Sequence, residues 1–319
     1  MPALKAMKIG VLMGGFSRER EISLRSGRAV LKALAEKGFQ AEPVEIFSKD
    51  FASALSSRVF DFAFITLHGA GGEDGVVQTV LEKYRIPYLG SGPEASLRAF
   101  DKITAKKIFL AAGVPTPAFE ILSADWQARL SSLEYPVFVK PADEGSSIDV
   151  FCCESAEGLR REMGPLIEKY GAVLVEKKIS GREFTVGIVG DRALPVVEIK
   201  PKRDFYDYTA KYDSSSGTQY DAPADIPASA AKQAQEIALL AHRALGLRDF
   251  SRVDMMLGEQ GFSVLEANTI PGFTETSLLP KAARAAGLSF QDLCADLVRI
   301  AWERFENEKK IQAEKVFTA

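Results

Sequence analysis

The sequence predicts an α/β protein of three domains, the first of them an open α/β sheet. Three observations predict it. Apolar strands alternate with amphipathic helices, glycine-rich loops stand at the C-terminal ends of strands, and an apolar hairpin near the C-terminus carries charges on one face. The 319 residues suffice for two or three domains and a sizeable core.

The first domain is expected over residues 1–98. Met7 to Met13 reads as a buried strand ending in Gly14-Gly15, and Ser17 suits the N-cap of the following helix. Ile22, Val30 and Leu34 form that helix's apolar stripe, and Gly38 stops it. A second strand, Phe60 to Leu67, runs into His68-Gly69-Ala70-Gly71-Gly72-Glu73-Asp74-Gly75, a loop placed where open α/β sheets bind ligands. Tyr88 to Pro93 marks the boundary.

The second domain is expected over residues 99–181. It comprises a helix from Asp101 to Ala112 closed by Gly113, a strand Tyr135 to Pro141 carrying Lys140, the loop Asp143 to Ser147, and a strand Ala172 to Ile179. The third, residues 182–319, opens with a hairpin, Phe184–Val189 and Leu194–Ile199, turning at Gly190-Asp191. The polar loop Lys202 to Tyr220 is too long for an ordinary connection. A helix follows over about Ser229–Leu245, then the charged hairpin, then a last helix over about Phe290–Asn307, with Glu308–Ala319 expected to fray.

Composition narrows the function. Against 40 Lys and Arg stand 43 Asp and Glu, a formal charge of −3, which leaves no electrostatic footprint for nucleic acid. Cys152, Cys153 and Cys294 form neither a zinc pattern nor a disulfide framework and read as structural thiols. His242, on a helix, also reads as structural. The absence of a long apolar run before the first strand predicts a cytoplasmic protein without a membrane span.

The hairpin carries the chemistry. Alternation puts Arg252, Asp254 and Met256 on one face, and Glu266 and Asn268 share a face of the returning strand. A three-residue turn, Glu259-Gln260-Gly261 with Gly261 left-handed, sets Asp254 opposite Glu266 and Arg252 opposite Asn268. Two carboxylates and an amide oxygen are the hard donors Mg²⁺ takes when phosphates complete its shell, and Arg252 stands ready to neutralise developing negative charge. Buried among apolar neighbours, those carboxylates need a cation. Lys102 and Lys140 offer charges for phosphates, and the backbone of Gly145-Ser146-Ser147 can cap one. No Walker pattern is present, so a P-loop fold is excluded.

The ordered set His68-Gly69…Gly72-Glu73-Asp74-Gly75, Asp101-Lys102, Val139-Lys140-Pro141…Glu144-Gly145-Ser146-Ser147, Glu183-Phe184-Thr185-Val186, Tyr206-Asp207-Tyr208…Lys211-Tyr212 and Leu265-Glu266-Ala267-Asn268-Thr269…Pro271-Gly272 resembles the D-alanine–D-alanine ligase family of the ATP-grasp superfamily, over about residues 7 to 300. The resemblance implies an ATP-grasp fold whose N-terminal domain is the open α/β (pre-ATP-grasp) unit. It implies a cytoplasmic homodimer that uses ATP to join two D-alanines for peptidoglycan. ATP lies between the second and third domains. Glu176 takes the adenine amino group, Lys177 to Ile179 line the base, and Glu183 binds the ribose. Lys102 and Lys140 hold the phosphates, and Lys211 closes on the γ-phosphate. Asp254, Glu266 and Asn268 hold two Mg²⁺ ions, with Mn²⁺ as a substitute.

For the other substrate, the resemblance pairs Glu19 with the ammonium of the first D-alanine and His68 with its carboxylate. Arg252 and the Gly272 N–H steady the oxyanion, while Ser277 and the Leu278 N–H take the second carboxylate. Ser146 and Tyr212 latch the long loop onto Glu19. The chain departs from the family pattern at Ile148-Asp149, where the charge is expected to point away from the phosphates, and at Glu275-Thr276 near the acceptor. Alternatives at this stage are a D-alanyl-D-lactate or other ATP-grasp carboxylate–amine ligase, and a nucleotide-binding module without turnover.

Overall fold

A computed structural model describes residues 2–56, 60–145, 147–202 and 217–317. The first sheet is parallel, in the order β2-β1-β3, from β1 (Lys8–Gly14), β2 (Gln40–Ile46) and β3 (Phe62–Ile65). After its first residue β1 is buried throughout, as a strand covered on both faces must be. Helices α1 (Pro2–Ala6), α2 (Arg20–Glu36), α3 (Phe51–Ser56), α4 (Val76–Lys83) and α5 (Pro93–Phe100) belong to this part of the chain. The expected stripe of α2 is correct, with Ile22, Val30 and Leu34 all buried. Its start is not. The helix begins two residues later than expected because Ser17 is used otherwise: its hydroxyl donates to the His68 carbonyl (2.6 Å) and accepts from the Glu19 N–H (3.2 Å).

Helix α6 (Lys102–Ala111) is capped by Asp101, whose carboxylate accepts from the Thr104 N–H at 2.6 Å. The second sheet is antiparallel, in the order β4-β7-β5-β6, from β4 (Phe119–Leu122), β5 (Val137–Pro141), β6 (Phe151–Cys153) and β7 (Val173–Lys177), and α7 (Ala156–Tyr170) packs on it. Its core is its own, drawn from Leu122, Val139, Leu159, Met163 and Val175 among others.

The third sheet runs β11-β10-β8-β12-β13, with β9 also on β8: β8 (Arg182–Val189), β9 (Arg192–Ala193), β10 (Val197–Lys200), β11 (Gln219–Asp221), β12 (Phe250–Gly258) and β13 (Gly261–Asn268). The helix α8 (Ala228–Ala244) covers one face, and the apolar residues of α5 and α6 (Ala95, Ala99, Ala105, Phe109) join the same core. The other face shares a core with the first sheet. There α9 (Leu278–Ala285) and α10 (Phe290–Phe317) pack with β1, β3 and α2. Phe273 is central to it, edge-on to Phe64 at 5.7 Å and Phe250 at 6.0 Å. A charged clasp closes the same junction: Asp249 accepts from the Gly90 N–H at 2.8 Å and from Arg304 at 2.8 and 3.0 Å.

The last helix runs past the expected end at Asn307, to Phe317, and Arg304 reaches Glu308 one turn on at 3.2 Å. In the β12–β13 hairpin Asp254 faces Glu266 and Arg252 faces Asn268, as expected, but by another route. Gly258 pairs with Gly261, so the turn has two residues rather than three, and a bulge after Asp254 absorbs the difference. Gly261 has φ +101°, the left-handed conformation its place requires. His242 is buried with Nδ1 2.8 Å from the Ser251 hydroxyl, and Cys153 and Cys294 are buried free thiols.

Candidate active site

Two cavities flank the end of β13 and meet there. The larger, about 530 Å³, opens between the second and third sheets; Lys140, Glu176, Lys177, Ile179, Glu183 and Asp254 line it. The smaller, about 200 Å³, lies between the loops of the first sheet and the segment after β13. Glu19, His68, Arg252, Asn268, Gly272, Ser277 and Leu278 line that one. Lys102, Glu144 and Glu266 belong to both walls. The residues expected for a nucleotide and those expected for a small zwitterion are therefore sorted into adjoining spaces. Ser146, Lys211, Tyr212, Tyr206 and Tyr208 lie outside the described residues.

In the smaller cavity Glu19 stands at the N-cap position of α2 and is buried. Room for its carboxylate depends on Gly69 (φ +68°), where a Cβ would stand 2.8 Å from Glu19 Oε2. His68 Nδ1 is 3.0 Å from the Ile270 carbonyl and 3.4 Å from Glu73, and Nε2 is 3.3 Å from the Ser26 hydroxyl. Burial opposes the charged form of His68, but the Glu73 hydrogen bond and the negative charges of Glu73 and Glu19 outweigh it, and its pKa stands above the usual histidine value. Burial pushes the neighbouring Glu73 upward. The Ser277 hydroxyl accepts from the Thr274 N–H at 3.1 Å, and Ser277 caps α9, whose first residue is Leu278. An N–H at a helix start is a ready donor to an anion.

At the junction Arg252 grips both oxygens of Asp254, at 2.8 and 2.7 Å. Asp254 also accepts from Thr185 Oγ1 at 2.6 Å and from the Asn268 amide at 3.0 Å. With Glu266 opposite, the donor set is two carboxylates and one amide oxygen, which fits a hard divalent cation, and the guanidinium in place shows that the position favours positive charge. Among the described residues no three His, Cys, Asp or Glu side chains form a metal cluster.

In the larger cavity both oxygens of Glu176 are ion-paired, one with Lys140 and the other with the buried Lys106. Burial opposes their charges, yet the two lysines leave Glu176 below the usual carboxylate range, and Glu176 raises Lys140. Lys102, at the first turn of α6, donates to the Glu144 carbonyl. Asp149 points away from the cavity as expected, held by Lys169 at 2.7 Å and the Tyr170 hydroxyl at 2.5 Å. Those hydrogen bonds lower its pKa.

Two contributors were not foreseen. Glu73 was visible only as part of a glycine-rich loop, and its spacing of five from His68 was the available signal. Lys106 follows Lys102 by one turn and sits between Ala105 and Phe109 on the buried stripe of α6, an unusual place for a lysine.

Comparison with known proteins shows the family. The family model for the D-ala D-ala ligase C-terminus matches residues 108–299, and that for the N-terminus matches residues 47–91. A D-alanine–D-alanine ligase of Desulforudis audaxviator is 45% identical over 93% of this chain and 99% of its own length. The crystal structure of a Bacillus anthracis D-alanine–D-alanine ligase superposes with a TM-score of 0.85 at 34% identity, covering 95% of this chain and 100% of that one. Another from the same organism, complexed with ATP, gives 0.83 at 33% identity over 95% and 99%. Family models, sequence relatives and fold concur: this chain belongs to the D-alanine–D-alanine ligase family.

Proposed function

We propose that the chain joins two D-alanines at the expense of ATP, giving D-alanyl-D-alanine for peptidoglycan, ADP and phosphate. The observation that carries it is the pair of cavities with Lys102 and Glu266 in their shared wall. A nucleotide in the larger one directs its γ-phosphate at a carboxylate held in the smaller. Support for ATP comes also from the ATP complex of the B. anthracis ligase.

Position in the cavities and the family resemblance together support the roles. Lys177 and Ile179 flank the base, Glu176 takes its amino group, and Glu183 takes the ribose hydroxyls. Lys102 and Lys140 bind phosphates, and the resemblance adds Lys211, outside the described residues. Glu19 holds the ammonium of the first D-alanine, and His68, whose charged form Glu73 favours, holds its carboxylate. Asp254, Glu266 and Asn268 would hold Mg²⁺, which when bound screens the phosphate oxygens.

A carboxylate oxygen attacks the γ-phosphorus and ADP leaves, giving an acyl phosphate. The amine of the second D-alanine, its carboxylate held by Ser277 and the Leu278 N–H, attacks the acyl carbon. Arg252 and the Gly272 N–H steady the tetrahedral oxyanion, and phosphate departs as the amide forms. For Ser146 and Tyr212, which lie outside the described residues, the family resemblance supports a part in keeping water from the acyl phosphate. Domain boundaries near 98 and 181, a homodimer and a cytoplasmic location complete the reading. For the last of these, among the described residues no helix is long and apolar enough to cross a membrane.

The test is phosphate release with ATP, Mg²⁺ and D-alanine, with L-alanine and D-lactate as controls and the product identified by mass. Release that requires D-alanine and yields the dipeptide is expected. Release with D-lactate as acceptor would move the assignment to a depsipeptide ligase, and release with no amino acid would refute ligation.

A further inference from the structure

We propose that Lys106 is a positioning residue for nucleotide recognition: the fixed counter-ion of Glu176, which frees Lys140 to leave that carboxylate for phosphate. The inference rests on the nucleotide reading of the larger cavity.

Glu176 stands on β7 of the second sheet, and Lys106 on a helix packed into the core of the third. The side chain of Lys106 is 1% exposed, whereas Lys140 is 16% exposed and lines the cavity. The Lys106 ammonium donates to Thr116 Oγ1 at 2.5 Å and to the Val264 carbonyl at 3.1 Å, and it is ion-paired with the Glu176 carboxylate. Thr116 is itself fixed, donating to the same Val264 carbonyl at 2.8 Å. Lys106 is thus engaged on three sides and does not line the cavity.

The two oxygens of Glu176 differ accordingly. Oε1 is shut off from solvent beside Lys106, close in charge but without a well-angled hydrogen bond. Oε2 carries Lys140. When phosphates draw Lys140 away, Oε2 becomes the acceptor for the adenine amino group, and only Lys106 then keeps the buried carboxylate ionised. With methionine at 106, Glu176 must either retain Lys140 or take up a proton, and each outcome weakens ATP binding.

The experiment is calorimetric titration of the full-length chain with ATP and with ITP, whose base lacks the amino donor, in the presence of Mg²⁺, alongside KM values and thermal melts. For Lys106→Met the ATP Kd and KM rise about tenfold, the size of one lost charge-assisted contact, while the KM for D-alanine stays within about twofold. Its preference for ATP over ITP shrinks, as it does in Glu176→Gln, and the double variant is no worse than Glu176→Gln alone. If Lys106→Met fails to fold, Thr116→Val, which removes one of the two hydrogen-bond acceptors of Lys106, is expected to raise the ATP Kd about threefold at an unchanged melting temperature. An unchanged ATP Kd and ATP-to-ITP ratio in a folded variant overturns the proposal, as does an equal rise in both KM values. Absence of dipeptide from the wild-type chain would refute the ligase reading instead, and the ATP titrations would still decide Lys106.

Discussion

The two cavities are anchored differently. The smaller is walled by the β1–α2 loop, the loop after β3 and the segment after β13, all rooted in the single core that the first and third sheets share through Phe273. The larger lies between two sheets with separate cores, and a buried Lys–Glu–Lys group spans the gap. The smaller cavity is thus set by apolar packing, while the larger is set by charge. On the proposed reading, such an arrangement fixes the geometry around the reacting carboxylate while the nucleotide wall adjusts as lysines change partners.

Substitutions in the two cores test that contrast. Phe273→Ala, at a side chain 1% exposed, should cost about 3–5 kcal/mol of stability and raise the D-alanine KM along with it. Leu159→Ala, deep in the core of the second sheet, should cost about 2–5 kcal/mol yet weaken ATP binding in preference to D-alanine binding. Denaturant titrations with parallel KM measurements check both, and equal damage to both substrates from Leu159→Ala would show the cores to be one unit.

Next in size is Arg252→Met, which removes the proposed oxyanion donor between the cavities. It should lower kcat by about 10²–10³-fold with the ATP Kd little altered, as read by steady-state rates and calorimetry. Away from both cavities, His242 supplies a pH control. Burial lowers its pKa from 6.5 to about 4, so its contribution is present above pH 6.5 and is lost as pH falls through that interval. Melts between pH 7 and 4 should show a loss of about 2–3 kcal/mol that is absent from His242→Gln. The smallest effect is expected at Asp149. Because it is paired with Lys169 on the rim, Asp149→Asn should change the ATP KM by less than about twofold.

Much of this was legible in the sequence, for identifiable reasons. Strands such as β1 and helices such as α2 carry strong periodic patterns, and the facing pairs Asp254–Glu266 and Arg252–Asn268 follow from alternation. The two-residue turn with its bulge was missed because a bulge is a backbone event with no side-chain signature here. Ser17 was misplaced because its hydroxyl suits a cap equally well, and only the fold brings the His68 carbonyl to it. Lys106 escaped notice because lysines are nearly always solvated, and its acceptors, Thr116, Glu176 and Val264, come together only in three dimensions.

The measurement that bears most directly on transfer between the adjoining cavities is the fate of carboxylate oxygen. D-alanine labelled with ¹⁸O in its carboxylate, turned over with ATP and Mg²⁺, should deliver one labelled oxygen to each phosphate released per dipeptide formed. Phosphate without label, with all of it retained in the dipeptide or lost to water, would contradict attack by the bound carboxylate on the γ-phosphate.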